Sequence, residues 1–277
     1  MKLKEQSKER LEILEKIKKL EAEGGSSFYV DVEPDPPGHP LEPHEVDYLQ
    51  KKFSSKFHAF VTRAIASVAQ KLLRKDLKMR VVGEEHLKNI TSGAILTSNH
   101  FSKFENLAVK EVADRIPTKH RFYRVIKDIN YFQPGIIGYL MKHCDTFPLS
   151  TNHKTMRLFS EAMETVLRRG DLVLVYPEQA MWWNYRKPRP FREGAFFYAA
   201  KNNVPIVPIF VTMEDQDVLD GDGFPKQAYT IHVMPPIYPD PAKSMRENEQ
   251  EMLQKNQQLC YDKYKEVYGK EVCYTEK

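Results

Sequence analysis

Residues 94–105 read AILTSNHFSKFE, an apolar run that ends in a polar segment where His100 and Glu105 stand five positions apart. Residues 171–178, DLVLVYPE, have the same form. Short apolar runs bounded by polar residues predict buried strands. In a parallel sheet, residues just beyond the carboxyl ends of strands lie where the chemistry takes place. We therefore expect His100 and Glu178 to face one cleft.

The same pattern continues on both sides of these two stretches. After residue 79, short β-like runs alternate with helical stretches, which favours a mostly parallel sheet. The predicted strands are residues 80–82, 94–98, 121–126, 146–149, 172–176, 206–212 and 229–234. The predicted helices are residues 103–113, 132–142, 153–169, 192–202 and 243–268. The fold class expected for residues 80–277 is α/β, a mostly parallel mixed sheet with helices on both faces and a C-terminal helix.

The first 79 residues differ in composition and predict an amphipathic helical region. Residues 1–42 combine a helix, with Ile13, Ile17 and Leu20 on one face, and a proline-rich linker after Gly24-Gly25. Residues 43–79 predict one or two helices with an apolar stripe. Residues 51–80 hold nine Lys or Arg against one Asp. Such a stretch attracts anionic lipid or nucleic acid, or forms a solvated helix face. The apolar stripe either contacts a membrane, packs on the sheet as ordinary core, or does both; we expect a peripheral membrane contact at residues 43–79.

Bulk composition narrows the function classes. The net charge of +4 is too small to indicate a nucleic-acid-binding protein, and no nucleic-acid recognition motif accompanies the basic stretch. The three cysteines, Cys144, Cys260 and Cys273, have no zinc-like spacing, which predicts a reducing, cytoplasmic setting. The charged N-terminus is unlike a secretory signal, and no run approaches the ~18–20 apolar residues that span a bilayer. We expect a location on the cytoplasmic face of a membrane.

The residues after the two strands suggest acid–base chemistry. A carboxylate that holds one imidazole nitrogen leaves the other free to take a proton, so His100 and Glu105 predict a general base for an incoming hydroxyl. A His and an acid at this spacing also occur by chance, and Glu178 can instead be an ion-paired structural residue. A basic run follows, and its guanidinium and ammonium groups suit either phosphate oxygens or a solvated loop. Its members are Arg186, Lys187, Arg189 and Arg192.

Four segments together resemble the glycerolipid acyltransferase family, which includes the 1-acylglycerol-3-phosphate and glycerol-3-phosphate O-acyltransferases. The resemblance covers about residues 80–235. The segments are residues 99–105 (NHFSKFE), 176–181 (YPEQAM), 190–195 (PFREGA) and 204–208 (VPIVP). Each is modest alone, but the four occur in the family's order and spacing.

The resemblance implies a mechanism and two substrates. His100 would take the proton of the acceptor hydroxyl as it attacks an acyl thioester, and Glu105 would orient the histidine. Glu178 would shape the acceptor site, together with Asn99, Tyr176 and Pro177. The donor would be acyl-CoA or acyl carrier protein, and the acceptor a lysophospholipid such as 1-acylglycerol-3-phosphate. No metal, cofactor or covalent acyl-enzyme is expected.

Three departures from the family pattern bear on the acceptor. The acid after the histidine is Glu105 where the family usually has Asp. Met181 stands where the third family segment ends in an Arg that holds the acceptor phosphate. Residues 145–150 (DTFPLS) lack the Arg of the second segment. The basic residues at 186–192 would then substitute for these arginines, or the acceptor carries no phosphate. A third hypothesis is a catalytically weak lipid-binding protein that keeps the fold.

Overall fold

The computed structural model describes residues 5–274, and a seven-stranded sheet runs through its centre. The strand order is β1-β7-β6-β2-β5-β3-β4. The strands are β1 (Arg80–Val82), β2 (Ala94–Thr97), β3 (Phe122–Ile126), β4 (Thr146–Pro148), β5 (Leu172–Val175), β6 (Ile206–Leu219) and β7 (Pro225–Val233). All neighbouring strands are parallel except β6 and β7, which form an antiparallel hairpin. The predicted mostly parallel mixed sheet is confirmed. The hairpin strands are longer than predicted.

Helices cover both faces of the sheet, as expected. They are α1 (Lys8–Glu23), α2 (Phe53–Asp76), α3 (Glu105–Ala113), α4 (Gly135–His143), α5 (His153–Arg168), α6 (Gly194–Asn202) and α7 (Met245–Tyr268). Alternation along β2 separates the two cores: Ile95 packs with α5, α6 and α7, whereas Ala94 and Leu96 pack with α3. Because β2 lies in the middle of the sheet, the turn that follows it opens at the centre of the carboxyl edge.

Side-chain caps fix where two of these helices begin. The Asn152 side chain accepts hydrogen bonds from the backbone N–H groups of Lys154 (2.9 Å) and Thr155 (3.3 Å) at the start of α5. Ser244 and Glu247 form a reciprocal capping box at the start of α7. Such caps satisfy N–H groups that have no partner inside the helix.

The N-terminal segment packs on the α/β body. Ile13, Ile17 and Leu20 of α1 are buried with Phe28 and Val32. The same cluster includes Ala180 and Trp182, which lie in the loop after β5. The stretch predicted as a linker is therefore anchored by its apolar residues. It begins with a short 3-10 helix, Gly25–Tyr29, and the prolines that follow interrupt regular structure.

Helix α2 turns its largest apolar side chains outward. Its buried positions are the small or polar residues Ala59, Thr62, Ala66 and Gln70. Phe53, Phe57 and Phe60 are 85%, 57% and 69% exposed, and Val68 and Leu72 are also exposed. The part of the predicted stripe that lies on α2 is thus not part of the core, whereas Val46 and Leu49, which precede the helix, pack against that core. No helix within residues 5–274 is long and apolar enough to cross a membrane.

Candidate active site

The turn after β2 is held by the side chain of Asn99. Its amide nitrogen donates to the carbonyl of Val211 (3.0 Å), and its oxygen accepts the Val211 N–H (2.9 Å). Asn99 thereby extends the pairing between β2 and β6 by one side chain, and it is buried. This placement differs from the substrate contact expected from the sequence, because both polar atoms of the amide are used internally.

His100 and Glu105 meet as expected. The Nδ1 atom of His100 lies 2.6 Å from Oε1 of Glu105. Glu105 is the first residue of α3 and is buried, so the positive end of the helix dipole favours its negative charge. The His100 side chain remains 21% exposed. Because Nδ1 faces the carboxylate, Nε2 is the ring nitrogen that can exchange a proton with a substrate.

Tyr176, at the end of β5, forms a platform under the imidazole. The two rings are stacked, with centroids 4.0 Å apart and planes inclined by 10°. Burial of the phenol, followed by the charge of Glu105, raises the pKa of Tyr176 well above 10. The phenol is therefore neutral at physiological pH. Its role in this arrangement is to fix the plane of the ring. Pro177, the next residue, is buried, and its carbonyl accepts the N–H of Arg192 (2.9 Å).

A buried ion pair clamps the peptide of His100 from both sides. Oε2 of Glu178 accepts the N–H of His100 (3.1 Å), and Nη2 of Arg189 donates to the carbonyl of His100 (3.3 Å). Glu178 and Arg189 are themselves 2.9 Å apart. Both side chains are buried, with 2% and 0% exposure. This ion pair therefore fixes the backbone that carries the imidazole.

Arg189 also joins two further segments to the site. Nη1 donates to the carbonyl of Phe28 (2.8 Å), and Nη2 also hydrogen-bonds the carbonyl of Ala180. Its guanidinium lies 4.7 Å from the centre of the Trp182 ring. Burial lowers the pKa of Arg189, and the charge of Glu178 opposes that shift. These positions differ from the acceptor and phosphate contacts expected of Glu178 and Arg189, since neither side chain reaches solvent.

The other basic residues of this loop lie near the surface, each with a partner. Nη2 of Arg186 is 2.7 Å from Oδ1 of Asp215. Nζ of Lys187 is 2.7 Å from both Oε1 of Glu21 and the carbonyl of Cys273. Arg192 is exposed, and its guanidinium lies 3.8 Å from the centre of the Tyr29 ring. The structure therefore does not bring the four predicted phosphate contacts together at His100.

Sequence reasoning missed an acidic segment beside the site. Asp31, Glu33 and Asp35 alternate in the stretch DVEPD, and alternation in extended chain directs side chains to one side. Glu33 is 2.5 Å from the ammonium of Lys103, and Asp31 contacts that of Lys127. The alternating acids are the sequence signal for this segment, but its prolines predict a linker.

The chain is thus an α/β protein with a His–carboxylate pair at the carboxyl edge of a mostly parallel sheet. Residues 78–212 match the family model described as Acyltransferase. These residues form a domain of the acyltransferase family, and the resemblance to the glycerolipid acyltransferases is confirmed.

Two plant proteins are among the relatives. The chain is 27% identical over 174 residues to the chloroplastic 1-acyl-sn-glycerol-3-phosphate acyltransferase BAT2 of Brassica napus. The aligned region covers 62% of this chain and 46% of the relative. The chain is 26% identical over 174 residues to the chloroplastic 1-acyl-sn-glycerol-3-phosphate acyltransferase LPAT1 of Arabidopsis thaliana, with 62% and 44% covered. The match spans less than half the length of each relative.

A solved structure shares the fold. The 1-acyl-sn-glycerophosphate acyltransferase PlsC from Thermotoga maritima superposes with a TM-score of 0.55 at 17% sequence identity. The superposition covers 82% of this chain and 87% of that protein. At this identity the likeness establishes the fold.

Proposed function

We propose that this protein transfers an acyl group from an acyl thioester to a hydroxyl of a lysophospholipid. The observation that carries the proposal is the 2.6 Å contact between Nδ1 of His100 and Oε1 of Glu105, within the region that matches the acyltransferase family. Both plant relatives are named as 1-acyl-sn-glycerol-3-phosphate acyltransferases. We take 1-acylglycerol-3-phosphate as the first acceptor to test.

In the proposed reaction, His100 is the general base. Its Nε2 takes the proton of the acceptor hydroxyl while the hydroxyl oxygen attacks the thioester carbonyl carbon. The new C–O ester bond forms, the C–S bond breaks, and the proton passes from the imidazolium to the leaving thiolate. Glu105 stabilises the imidazolium, because a buried carboxylate at 2.6 Å favours the charged ring.

The surrounding residues hold this base still. Tyr176 stacks on the ring, Asn99 anchors the turn to β6, and Glu178 with Arg189 fixes the peptide of His100. Positioning of this kind lowers the cost of reaching the reactive geometry. The reaction uses only protein groups and the two substrates, and neither metal nor cofactor takes part in it.

The proposed acceptor is a lipid, and α2 offers a surface for reaching one. Phe53, Phe57 and Phe60 are exposed on this helix, and the exposed Lys52 and Lys56 flank them. Helix α4, which packs against α2, adds the exposed Ile136 and Ile137. Aromatic residues beside lysines favour insertion at an anionic bilayer surface. We propose that α2 and α4 dock the protein on the membrane, at its cytoplasmic face.

A vesicle co-sedimentation experiment tests the docking surface. We expect the triple Phe53/Phe57/Phe60→Ser variant to lose binding to phosphatidylglycerol vesicles. The matched control replaces Val218 and Leu219 by Ser, since both are exposed on the β6–β7 hairpin. Equal loss in the control, or full binding by the triple variant, would place the contact elsewhere.

An acyl-transfer assay tests the proposed activity. Purified protein is given labelled acyl-CoA, or acyl carrier protein in a parallel series, with 1-acylglycerol-3-phosphate and other lysophospholipids as acceptors. We expect transfer that His100→Ala lowers by ~10²–10⁴-fold, the usual effect of losing a general base. His44→Ala, a change at an exposed histidine, is the control. No transfer from either donor would favour the lipid-binding hypothesis.

A further inference from the structure

Two lysines follow the strands that flank the candidate site. Lys103 lies in the turn after β2, three residues beyond His100, and Lys127 directly follows β3. In the sheet, β5 lies between β2 and β3. The two lysines therefore stand on opposite sides of the end of β5, where Tyr176 stacks on His100.

One acidic segment reaches both lysines. Glu33 contacts Lys103 at 2.5 Å, and Lys127 contacts Asp31 and lies 3.6 Å from Asp35. Residues 31–35, which we call the acidic strap, therefore contact the lysines on both sides of β5: Asp31 and Asp35 on the β3 side, and Glu33 between them on the β2 side. The strap spans the carboxyl edge beside the candidate site.

The strap is anchored independently of its charges. The side chain of Val32 is buried in the same cluster as Trp182. The indole N–H of Trp182 donates to the carbonyl of Val30 at 2.9 Å. Neutral substitutions of the strap carboxylates should therefore leave its backbone in place.

The carboxylate of Asp31 lies in a donor set suited to an anion. Oδ1 accepts the backbone N–H of Met181 at 3.1 Å, and Oδ2 contacts the ammonium of Lys127. A backbone N–H and an ammonium directed at one group are the donors that bind phosphate oxygens. Here an internal carboxylate occupies them, at the loop position where Met181 replaces the arginine of the family pattern.

Glu33 is held as firmly on the other side. It accepts from Arg10 at 2.7 Å in addition to Lys103. Burial would raise the pKa of Glu33, but the hydrogen bonds and charges of Lys103 and Arg10 outweigh it, so the pKa lies below 4.5. Glu33 is therefore negatively charged at neutral pH, and an incoming phosphate must compete with it for a lysine that is already paired.

We propose that Asp31 and Glu33 are specificity-determining residues that direct the site away from acceptors with a phosphate monoester and towards uncharged acceptors of the same shape. This inference rests on the proposed acyl transfer and changes its preferred acceptor from a lysophospholipid to an uncharged acylglycerol. A phosphate monoester must displace the strap carboxylates from Lys103 and Lys127. An uncharged headgroup leaves those ion pairs intact.

Neutral isosteres of the two acids test the proposal. The kcat/KM values for 1-acylglycerol-3-phosphate and for the uncharged 1-acylglycerol are compared in the wild type, Asp31→Asn, Glu33→Gln and the double variant. Partly exposed ion pairs are weak, so we expect the double variant to gain about tenfold for the phosphate acceptor, mainly through KM. The uncharged acceptor should change less than about threefold by the same reasoning.

The controls separate specificity from loss of structure and from failure of the proposed activity. Glu15→Gln removes an exposed carboxylate of α1 and should change neither value. The single variants keep the test valid where the double variant does not fold. Calorimetric binding of glycerol-3-phosphate, which needs no turnover, should tighten about tenfold in the double variant.

Two results would overturn the inference. One is an equal change for both acceptors. The other is a lower kcat/KM of the double variant for the phosphate acceptor, together with unchanged or weaker binding of glycerol-3-phosphate. That result would mean that the carboxylates orient the lysines to bind phosphate. If the wild type transfers no acyl group, the proposed function is refuted. Tighter binding of glycerol-3-phosphate by the double variant would then still support competition between the strap carboxylates and phosphate.

Discussion

Replacing Arg189 by Met should destabilise the protein strongly, although Arg189 lies in a loop. Its guanidinium is fully buried and 2.9 Å from Glu178, which is 2% exposed. The substitution leaves that carboxylate without its counter-charge in the interior. Breaking a buried ion pair from one side costs about 3–5 kcal/mol, because one charge stays buried and unpaired. The carbonyls of Phe28 and Ala180 also lose a donor, and each unsatisfied buried group adds about 1–3 kcal/mol unless water replaces the donor.

Urea unfolding followed by circular dichroism measures this loss. We expect Arg189→Met to lower the free energy of unfolding by about 3–5 kcal/mol or more. Arg186→Met is the matched control from the same loop, because its pair with Asp215 is exposed and contributes about 1 kcal/mol or less. The double variant Glu178→Gln/Arg189→Met should recover part of the loss. A loss below about 1 kcal/mol for Arg189→Met would refute the assignment of a buried, energetically coupled pair.

Four further predictions concern other parts of the molecule. Glu105→Gln should lower turnover by ~10²–10⁴-fold with the fold retained, because the amide no longer stabilises the imidazolium; unchanged turnover would make Glu105 a structural residue. Asn99→Ala should lower the free energy of unfolding in urea by about 1–3 kcal/mol, because the N–H and the carbonyl of Val211 lose their partner. A loss of less than a few tenths of a kcal/mol would contradict this. Gly83→Ala should weaken the pairing of β1 with β7, detected as faster amide exchange in β1, because at φ 84° the added Cβ would lie 2.1 Å from the carbonyl oxygen of Val233. Burial, followed by the charge of Lys263, lowers the pKa of His232 from 6.5 to about 4 in the folded protein. As the pH drops from 6.5 towards 4, His232 therefore takes up a proton in the unfolded chain before it does so in the folded one. The free energy of unfolding should fall over this range. Because solvent screens part of the interaction, the expected loss of unfolding free energy is on the order of 1–2 kcal/mol. It should be absent in His232→Gln.

The sheet and the contact between His100 and Glu105 could be predicted because local patterns encode them. The apolar runs at residues 94–97 and 172–175 end in polar residues, and they form the adjacent parallel strands β2 and β5. The meeting of His100 with Glu105 follows from a five-residue separation across a strand-to-helix turn. Contacts of this range depend on few residues, so the sequence indicates them directly.

The surroundings of the pair depend on contacts distant in sequence. Charged side chains are rarely fully buried, so the composition of the basic loop favoured solvent or phosphate for Arg189. Its burial depends on carbonyls of Phe28, His100 and Ala180, from three separate segments. No local pattern specifies that convergence.

Helix α2 shows a second limit of periodicity. The spacing of Phe53, Phe57 and Phe60 predicts an apolar stripe, but spacing alone does not identify what the stripe faces. The small residues Ala59 and Ala66 let α2 pack closely with its other side, which leaves the phenylalanines outward. The choice of face depends on the helices it meets, α3 and α4.

Chemical rescue of His100→Ala is the sharpest test of His100 as the general base. The rate of acyl transfer is measured with and without added imidazole, after circular dichroism has shown that the variant is folded. We expect a ~10²–10⁴-fold loss without imidazole. Added imidazole should recover part of the rate, because it enters beside Tyr176 and takes the proton in place of the missing side chain. Transfer at the wild-type rate by the unrescued variant would contradict the role of His100 as the general base.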